Sequence, residues 1–222
     1  MNSILKIGHR GAAGYIAENT LASFKKALKL QVNGIELDVH SSIDKEIMVI
    51  HDETIDRTTI EKGYVKNFTS SQLKELGVPK LTEVLDLANQ KCFINIELKG
   101  IDTAKPVVEL IEHYVLVKNW NYKEFLVSSF DWKMLEEVQL MNPKIRLGVL
   151  TEESIEGALA FAKKINALSI HPDYRLLSKE NVALMQENGF EVYPWTVNSK
   201  EDIQKIKSFN VNGIISDFPD RI

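Results

Sequence analysis

The sequence predicts a (β/α)8 barrel, and three observations predict it. Strand and helix signals alternate from end to end, a pattern that implies a parallel sheet. The β-regions number eight when 34–51 is taken as one strand with an irregular extension. The length, 222 residues, lies near the lower limit of that fold, roughly 200, so decoration must be sparse. A doubly wound open sheet competes, but it usually carries G-x-G-x-x-G, which residues 8–14 do not match.

The first strand, 5–9, ends in His9 and Arg10, and Gly11 and Gly14 then let the chain turn sharply. Glu18-Asn19-Thr20 opens an amphipathic helix over 18–31, with Leu21, Phe24, Ala27 and Leu28 at helical spacing. Residues 34–40 form the second strand, followed by 46–51. Segment 52–79 is polar with no clear period and reads as the one sizeable insertion. A helix over 81–89 takes Thr82 as its N-cap. Strands at 93–98, 125–129, 145–150, 167–170, 190–195 and 213–216 then alternate with helices at 102–118, 132–141, 154–164, 178–188 and 199–208. The whole chain, 1–222, is expected to be one catalytic domain with an insertion at approximately 52–79.

Composition narrows the function. An apolar share of 44% fills a substantial core. A net charge of −4, from 27 basic and 31 acidic residues, gives no field that favours nucleic acid. Cys92 is the single cysteine and sits in an apolar strand, so it reads as a buried, inert thiol. Residues 1–6 lack the apolar stretch of a signal peptide, and no run approaches the ~18 apolar residues of a membrane span. A soluble cytoplasmic protein without stable membrane association is the expectation.

Charged residues at the strand ends carry the chemistry. Strand side chains alternate faces, so Glu36 and Asp38 point one way and Ile35, Leu37 and Val39 the other. Glu97 and Lys99 repeat the pattern, with Ile96 and Leu98 behind them. Three carboxylates at the ends of neighbouring strands suit a hard divalent ion; the alternative is a set of salt bridges with Arg10 and Lys99. His9 and His51, beside a metal and a fixed cation, look like a general acid and base for breaking a phosphoester. His40 shares the face of Glu36 and Asp38 and reads as a neighbour rather than a catalyst. His171, at the end of a later strand, is placed at the rim.

His9-Arg10-Gly11, Glu18-Asn19-Thr20, Glu36-Leu37-Asp38, His51-Asp52, Glu97-Leu98-Lys99, Ser128-Ser129-Phe130 and Trp195-Thr196-Val197-Asn198 together resemble the glycerophosphodiester phosphodiesterase family, in its short bacterial form. That resemblance implies a TIM barrel with an insertion after its second strand, and a Mg²⁺ or Ca²⁺ site made by Glu36, Asp38 and Glu97. It implies His9 and His51 as the acid–base pair, Arg10 and Lys99 as phosphate holders, and Trp195 as the wall for the glycerol end. The expected reaction is hydrolysis of a small glycerophosphodiester to sn-glycerol 3-phosphate and an alcohol. On this reading the alcohol projects towards solvent and is weakly discriminated. A lysophospholipid-directed phosphodiesterase and a non-catalytic phosphodiester-binding protein are the alternatives. The oligomeric state is open.

Overall fold

A computed structural model describes residues 3–222. Met1 and Asn2, the start of the stretch read as lacking a signal peptide, lie outside the described residues. The elements run β1 (Leu5–Gly8), α1 (Leu21–Lys29), β2 (Gly34–Ser41), β3 (Ile47–Val49), α2 (Ser70–Glu75), α3 (Leu81–Ala88), β4 (Phe93–Leu98), α4 (Ala104–Val117) and β5 (Phe125–Ser129). They continue α5 (Trp132–Met141), β6 (Arg146–Thr151), α6 (Ile155–Lys164), β7 (Ser169–Pro172), α7 (Lys179–Glu187), β8 (Glu191–Val192), α8 (Lys200–Lys207) and β9 (Gly213–Ser216).

The sheet order is β8-β7-β6-β5-β4-β2-β1-β9, every neighbour along that path being parallel. Backbone hydrogen bonds Asn212 N–H to Val192 O, Ile215 N–H to Pro194 O and Val197 N–H to Ile215 O bridge the remaining seam. The ring is therefore the expected eight-stranded barrel. The strand expected over 190–195 is regular only at Glu191–Val192, because Pro194 has no N–H to donate to a ladder.

Alternation along each strand builds two cores. Ile35, Leu37, Val39, Ile94 and Ile96 face outwards and pack with Phe24, Ala27, Val107 and other helix residues in the large layer between sheet and helices. Phe24 is fully buried, and truncating such a side chain to alanine costs about 3–5 kcal/mol. Inside the barrel, Ile7, Leu126, Tyr193 and Ile215 form a smaller plug. The same alternation leaves Glu36, Asp38 and Glu97 on the inner face.

Three expectations are corrected. Residues 34–51 are not one extended strand. Ser42 and Glu46 close a turn through Ser42 N–H to Glu46 O (3.0 Å) and Glu46 N–H to Ser42 Oγ (3.0 Å), and β3 returns antiparallel to β2. Thr82 does not cap its helix; Lys80 is the N-cap, and its N–H donates to Glu83 at 3.0 Å. The first helix begins at Leu21 rather than Glu18, with Thr20 as its N-cap accepting from Ser23 N–H at 3.1 Å. Segment 52–79 also has more order than its polarity suggests. Ile55, Val65, Leu73 and Val78 pack on Met48 and Ile50 as a buried cluster of their own. Among the described residues no helix is long and apolar enough to cross a membrane. Cys92 is buried, and burial pushes its thiol up to about 12, well away from a reactive thiolate.

Candidate active site

The carboxylates gather because of strand register. In the β2–β4 pair Asp38 lies opposite Glu97 and Glu36 opposite Asn95. One oxygen from each of Glu36, Asp38 and Glu97 lies within 4.8 Å of the other two, and the residues are only 3%, 1% and 8% exposed. Glu36 Oε1, Asp38 Oδ1 and Glu97 Oε1 are buried without a hydrogen-bond partner. Burial, and then the neighbouring Asp38 and Glu97 charges, raise the Glu36 carboxyl well above the ordinary carboxylate range. Burial and Asp38 push Glu97 up to about 7, against the pull of Lys99.

The salt-bridge alternative is only half realised. Arg10 Nε stands 3.2 Å from Asp38 Oδ2 and Lys99 Nζ 3.0 Å from Glu97 Oε1. Both contacts are close enough for ion pairing, yet neither Arg10 Nε nor Glu97 Oε1 achieves hydrogen-bond alignment. Arg10 is also shared: Nη1 donates to Glu18 Oε1 at 2.8 Å, while its backbone N–H donates to Glu36 Oε2 at 2.9 Å. Two cations therefore face three buried carboxylates, one cation being committed elsewhere. Uncompensated buried charge is costly, and the three carboxylates form a cluster that could hold a cation.

The turn after β1 aims these groups. Arg10 has φ +48 and Gly11 φ +91. A Cβ on Gly11 would meet Ser23 Oγ at 2.5 Å and Phe24 N at 2.9 Å, so only glycine lets the loop press against α1.

Each histidine is backed by an aspartate. His9 Nδ1 lies 2.6 Å from Asp217 Oδ1, and its Nε2 points to Glu36 Oε2 at 3.9 Å. Asp217 is gripped in turn by Asn198, whose Nδ2 donates to Oδ2 at 2.6 Å and whose Oδ1 accepts the Asp217 N–H at 2.9 Å. Burial opposes charge on Asp217, but hydrogen bonds from His9 and Asn198 hold its carboxyl below the usual range. His51 Nδ1 lies 2.6 Å from Asp52 Oδ1, and burial lowers the His51 imidazole below its ordinary value. Arg57 then spans two carboxylates: Nε donates to Asp52 Oδ2 at 2.7 Å, Nη1 and Nη2 to Glu18 at 2.9 and 2.8 Å. These hydrogen bonds, those from Arg57 first, drive the Asp52 carboxyl far below the carboxylate range, and Glu18 is held at about 2. His40 turns its Nε2 to the His51 carbonyl at 3.0 Å, which makes it a support for His51's backbone.

The glycerophosphoryl diester phosphodiesterase family matches residues 9–221, and these are the residues that build the site. The chain belongs to that family. A glycerophosphodiester phosphodiesterase of Caldanaerobacter subterraneus subsp. tengcongensis is 37% identical over 98% of this chain and 96% of its own length. One from Bacillus subtilis is 31% identical over 98% of this chain and 84% of its own. In three dimensions the chain resembles the crystal structure of a glycerophosphodiester phosphodiesterase from Thermotoga maritima, with a TM-score of 0.87, 30% identity and coverage of 99% and 97%.

In this family member, His9, Arg10, Glu36, His51, Glu97, Lys99 and Trp195 all open into one pocket of about 90 Å³ at the C-terminal end of the barrel strands. Asp38, the eighth residue singled out in the sequence, reaches it through Arg10 and the carboxylate cluster. Trp195 stands edge-on to Phe130 (centroids 5.3 Å apart, planes at 90°) and is fixed by Nε1 donating to His171 O at 2.8 Å. Lys99 Nζ lies 5.7 Å from the Phe130 ring centre. His171 itself is not at the rim: it is fully buried inside the barrel, with Nε2 2.8 Å from Ser169 Oγ, because its strand runs on to Pro172 and carries His171 within the sheet. Sequence reasoning gave no role to Asp217 or Arg57. For Asp217 one signal existed, a carboxylate just beyond the last strand, matching the place of His9 beyond the first.

Proposed function

We propose that this chain hydrolyses small glycerophosphodiesters to sn-glycerol 3-phosphate and an alcohol, with His9 and His51 as the acid–base pair and a divalent cation on Glu36, Asp38 and Glu97. The observation that carries the reading is the meeting, at one pocket, of two aspartate-backed imidazoles with a buried cluster of three carboxylates, two of which line it. The donor set fits a hard cation: all three donors are carboxylate oxygens, and they lie within 4.8 Å of one another, inside the roughly 5.2 Å that two oxygens on one Ca²⁺ can span. Mg²⁺ and Ca²⁺ both meet that chemistry. When bound, such an ion lowers the cost of negative charge on the phosphoryl oxygens.

The remaining work falls to the chain's own residues. Arg10 and Lys99 hold the phosphate beside the carboxylates and neutralise the charge that the transition state spreads over its oxygens. Asp217 and Asp52 each fix one imidazole by its Nδ1, leaving Nε2 for proton transfer. One imidazole removes the nucleophile's proton as the new P–O bond forms. The other protonates the alcohol oxygen as the old P–O bond breaks. Trp195 and Phe130 wall the glycerol end.

The names of the relatives support the activity, and the intact acid–base pair supports turnover over mere binding. Incubation with glycerophosphocholine and Mg²⁺ or Ca²⁺, with release of glycerol 3-phosphate measured enzymatically, tests it. No release with either ion would overturn the activity. Faster cleavage of lysophosphatidylcholine than of glycerophosphocholine would move the assignment to lysophospholipids.

A further inference from the structure

A second cavity, of about 360 Å³, opens beside the catalytic pocket and shares His51 with it. One wall is the loop between β1 and α1, through Ala17, Glu18 and Asn19; the other is segment 52–79, through Arg57, Thr58 and Val78. Besides His51, two hydrogen bonds tie it to the catalytic centre. Glu18 accepts from Arg10, and Asn19 Nδ2 donates to Asp38 Oδ2 at 2.8 Å. Asn19 is only 4% exposed and its Oδ1 has no partner. The catalytic pocket alone, at about 90 Å³, is far below the roughly 300–1,000 Å³ of sites that enclose a small ligand.

We propose that this cavity is the subsite for the leaving alcohol, which rests on the glycerophosphodiester reading above. With glycerol against Trp195 and phosphate at Arg10, Lys99 and the carboxylates, the substrate's far end has this cavity beside it, and His51 stands at the junction. The alcohol is therefore held in a walled lobe instead of projecting freely into solvent.

The lining also states what the lobe accepts. Among the described residues that line it there is no Phe, Tyr or Trp, so it offers no cation–π cage for a quaternary ammonium. Its charges are already matched, since Arg57 is bonded to both Glu18 and Asp52. Such a lobe selects by size: small polar alcohols of the dimensions of choline, ethanolamine or glycerol enter alike, and bulky ones do not.

The test compares two substrates that share the glycerol phosphate half: the methyl ester of glycerol 3-phosphate, which leaves the lobe nearly empty, and glycerophosphocholine. Ala17→Trp and Thr58→Trp narrow the lobe from opposite walls at exposed positions, so each is expected to fold. The ratio of kcat/KM for glycerophosphocholine to that for the methyl ester is expected to fall at least tenfold in both variants, mainly through KM. An unchanged ratio in both folded variants would overturn the proposal in favour of an alcohol exposed to solvent. An equal loss with both substrates would overturn it too, since the lobe would then serve the shared half. Wild-type protein that cleaves neither substrate would overturn the phosphodiesterase reading beneath it.

Discussion

His9 and Asp217 lie 208 residues apart and meet through Nδ1 and Oδ1 at 2.6 Å. They meet because β1 and β9 are neighbours, with Gly8 opposite Ser216 and His9 N–H bonded to Ser216 O at 2.9 Å. Each strand then places its next residue at the same height above the barrel. Asp217→Asn is expected to lower kcat by roughly 10²–10⁴-fold with little change in KM, because a neutral amide neither fixes the His9 tautomer nor stabilises its protonated form. Steady-state kinetics on the folded variant checks this. A wild-type kcat would remove Asp217 from the chemistry.

Replacing either imidazole should be as damaging. His9→Ala and His51→Ala are each expected to reduce kcat by about 10²–10⁴-fold, and both should fold, since neither ring belongs to a core cluster. Circular dichroism checks the fold and product release the activity; near-normal turnover in either one would exclude that histidine as an acid or base.

The carboxylate cluster predicts effects of opposite sign with and without metal. Glu36→Gln or Glu97→Gln removes one of three carboxyl groups packed within 4.8 Å, whose ionisation burial and the neighbouring acids oppose, so the metal-free variant is expected to melt at a higher temperature than metal-free wild type. The same change weakens the ion's binding, so the stabilisation by saturating Mg²⁺ or Ca²⁺, about 2.7 kcal/mol at a hundredfold excess over Kd, should shrink. Thermal melts with a chelator and with each ion measure both halves. A wild-type protein whose melting and activity ignore metal and chelator alike would revive the ion-pair reading.

Arg57 joins Asp52, the partner of His51, to Glu18, the partner of Arg10. Its side chain is 48% exposed, so losing it should cost at most about 1 kcal/mol of stability. Activity should suffer more. Arg57→Ala is expected to lower kcat by roughly 10–100-fold, the range for removing a group that orients a catalytic ligand. Arg57→Lys should rescue little of it, because one ammonium cannot span two carboxylates as the guanidinium does. Full activity in Arg57→Lys would mean that charge alone matters there.

Buried His171 makes stability depend on pH. Burial pushes its imidazole down to about 3, against about 6.5 in an unfolded chain. Between those values the unfolded state binds a proton that the folded state refuses, so stability falls as pH falls. The contribution is intact above pH 6.5 and, by pH 5, has lost about 2 kcal/mol at 1.36 kcal/mol per unit. Denaturant titrations of wild type and His171→Gln at pH 7 and pH 5 should therefore show a smaller loss in the variant. Equal losses would show that His171 does not drive the acid sensitivity.

Much of the barrel and the centre of its site were legible in the chain. The alternation of Glu36 and Asp38 with Ile35, Leu37 and Val39 is a local property of extended backbone, and it places two acids on the inner face whatever the rest of the molecule does. Other features lacked such a period. The buried group Ile55, Val65, Leu73 and Val78 is spaced at neither two nor 3.6 residues, because it packs through turns and one short helix. The reversal into β3 does carry a local signal, the polar run Ser41-Ser42-Ile43-Asp44-Lys45 between two apolar stretches, but only the Ser42–Glu46 hydrogen bonds show that it turns the chain back on β2.

By itself, then, the sequence determined the succession of strands and helices, the outward apolar face of each strand, and the type of chemistry its inward charges could perform. Tertiary structure alone decided which residues complete them. Closure of the ring brought Asp217 to His9, the register of β2 against β4 set Asp38 opposite Glu97, and the folded 52–79 segment carried Arg57 across to Glu18. The division follows from range. Periodicity is written in neighbouring residues, whereas a hydrogen bond between residues 9 and 217 exists only after every intervening strand has taken its place in the sheet.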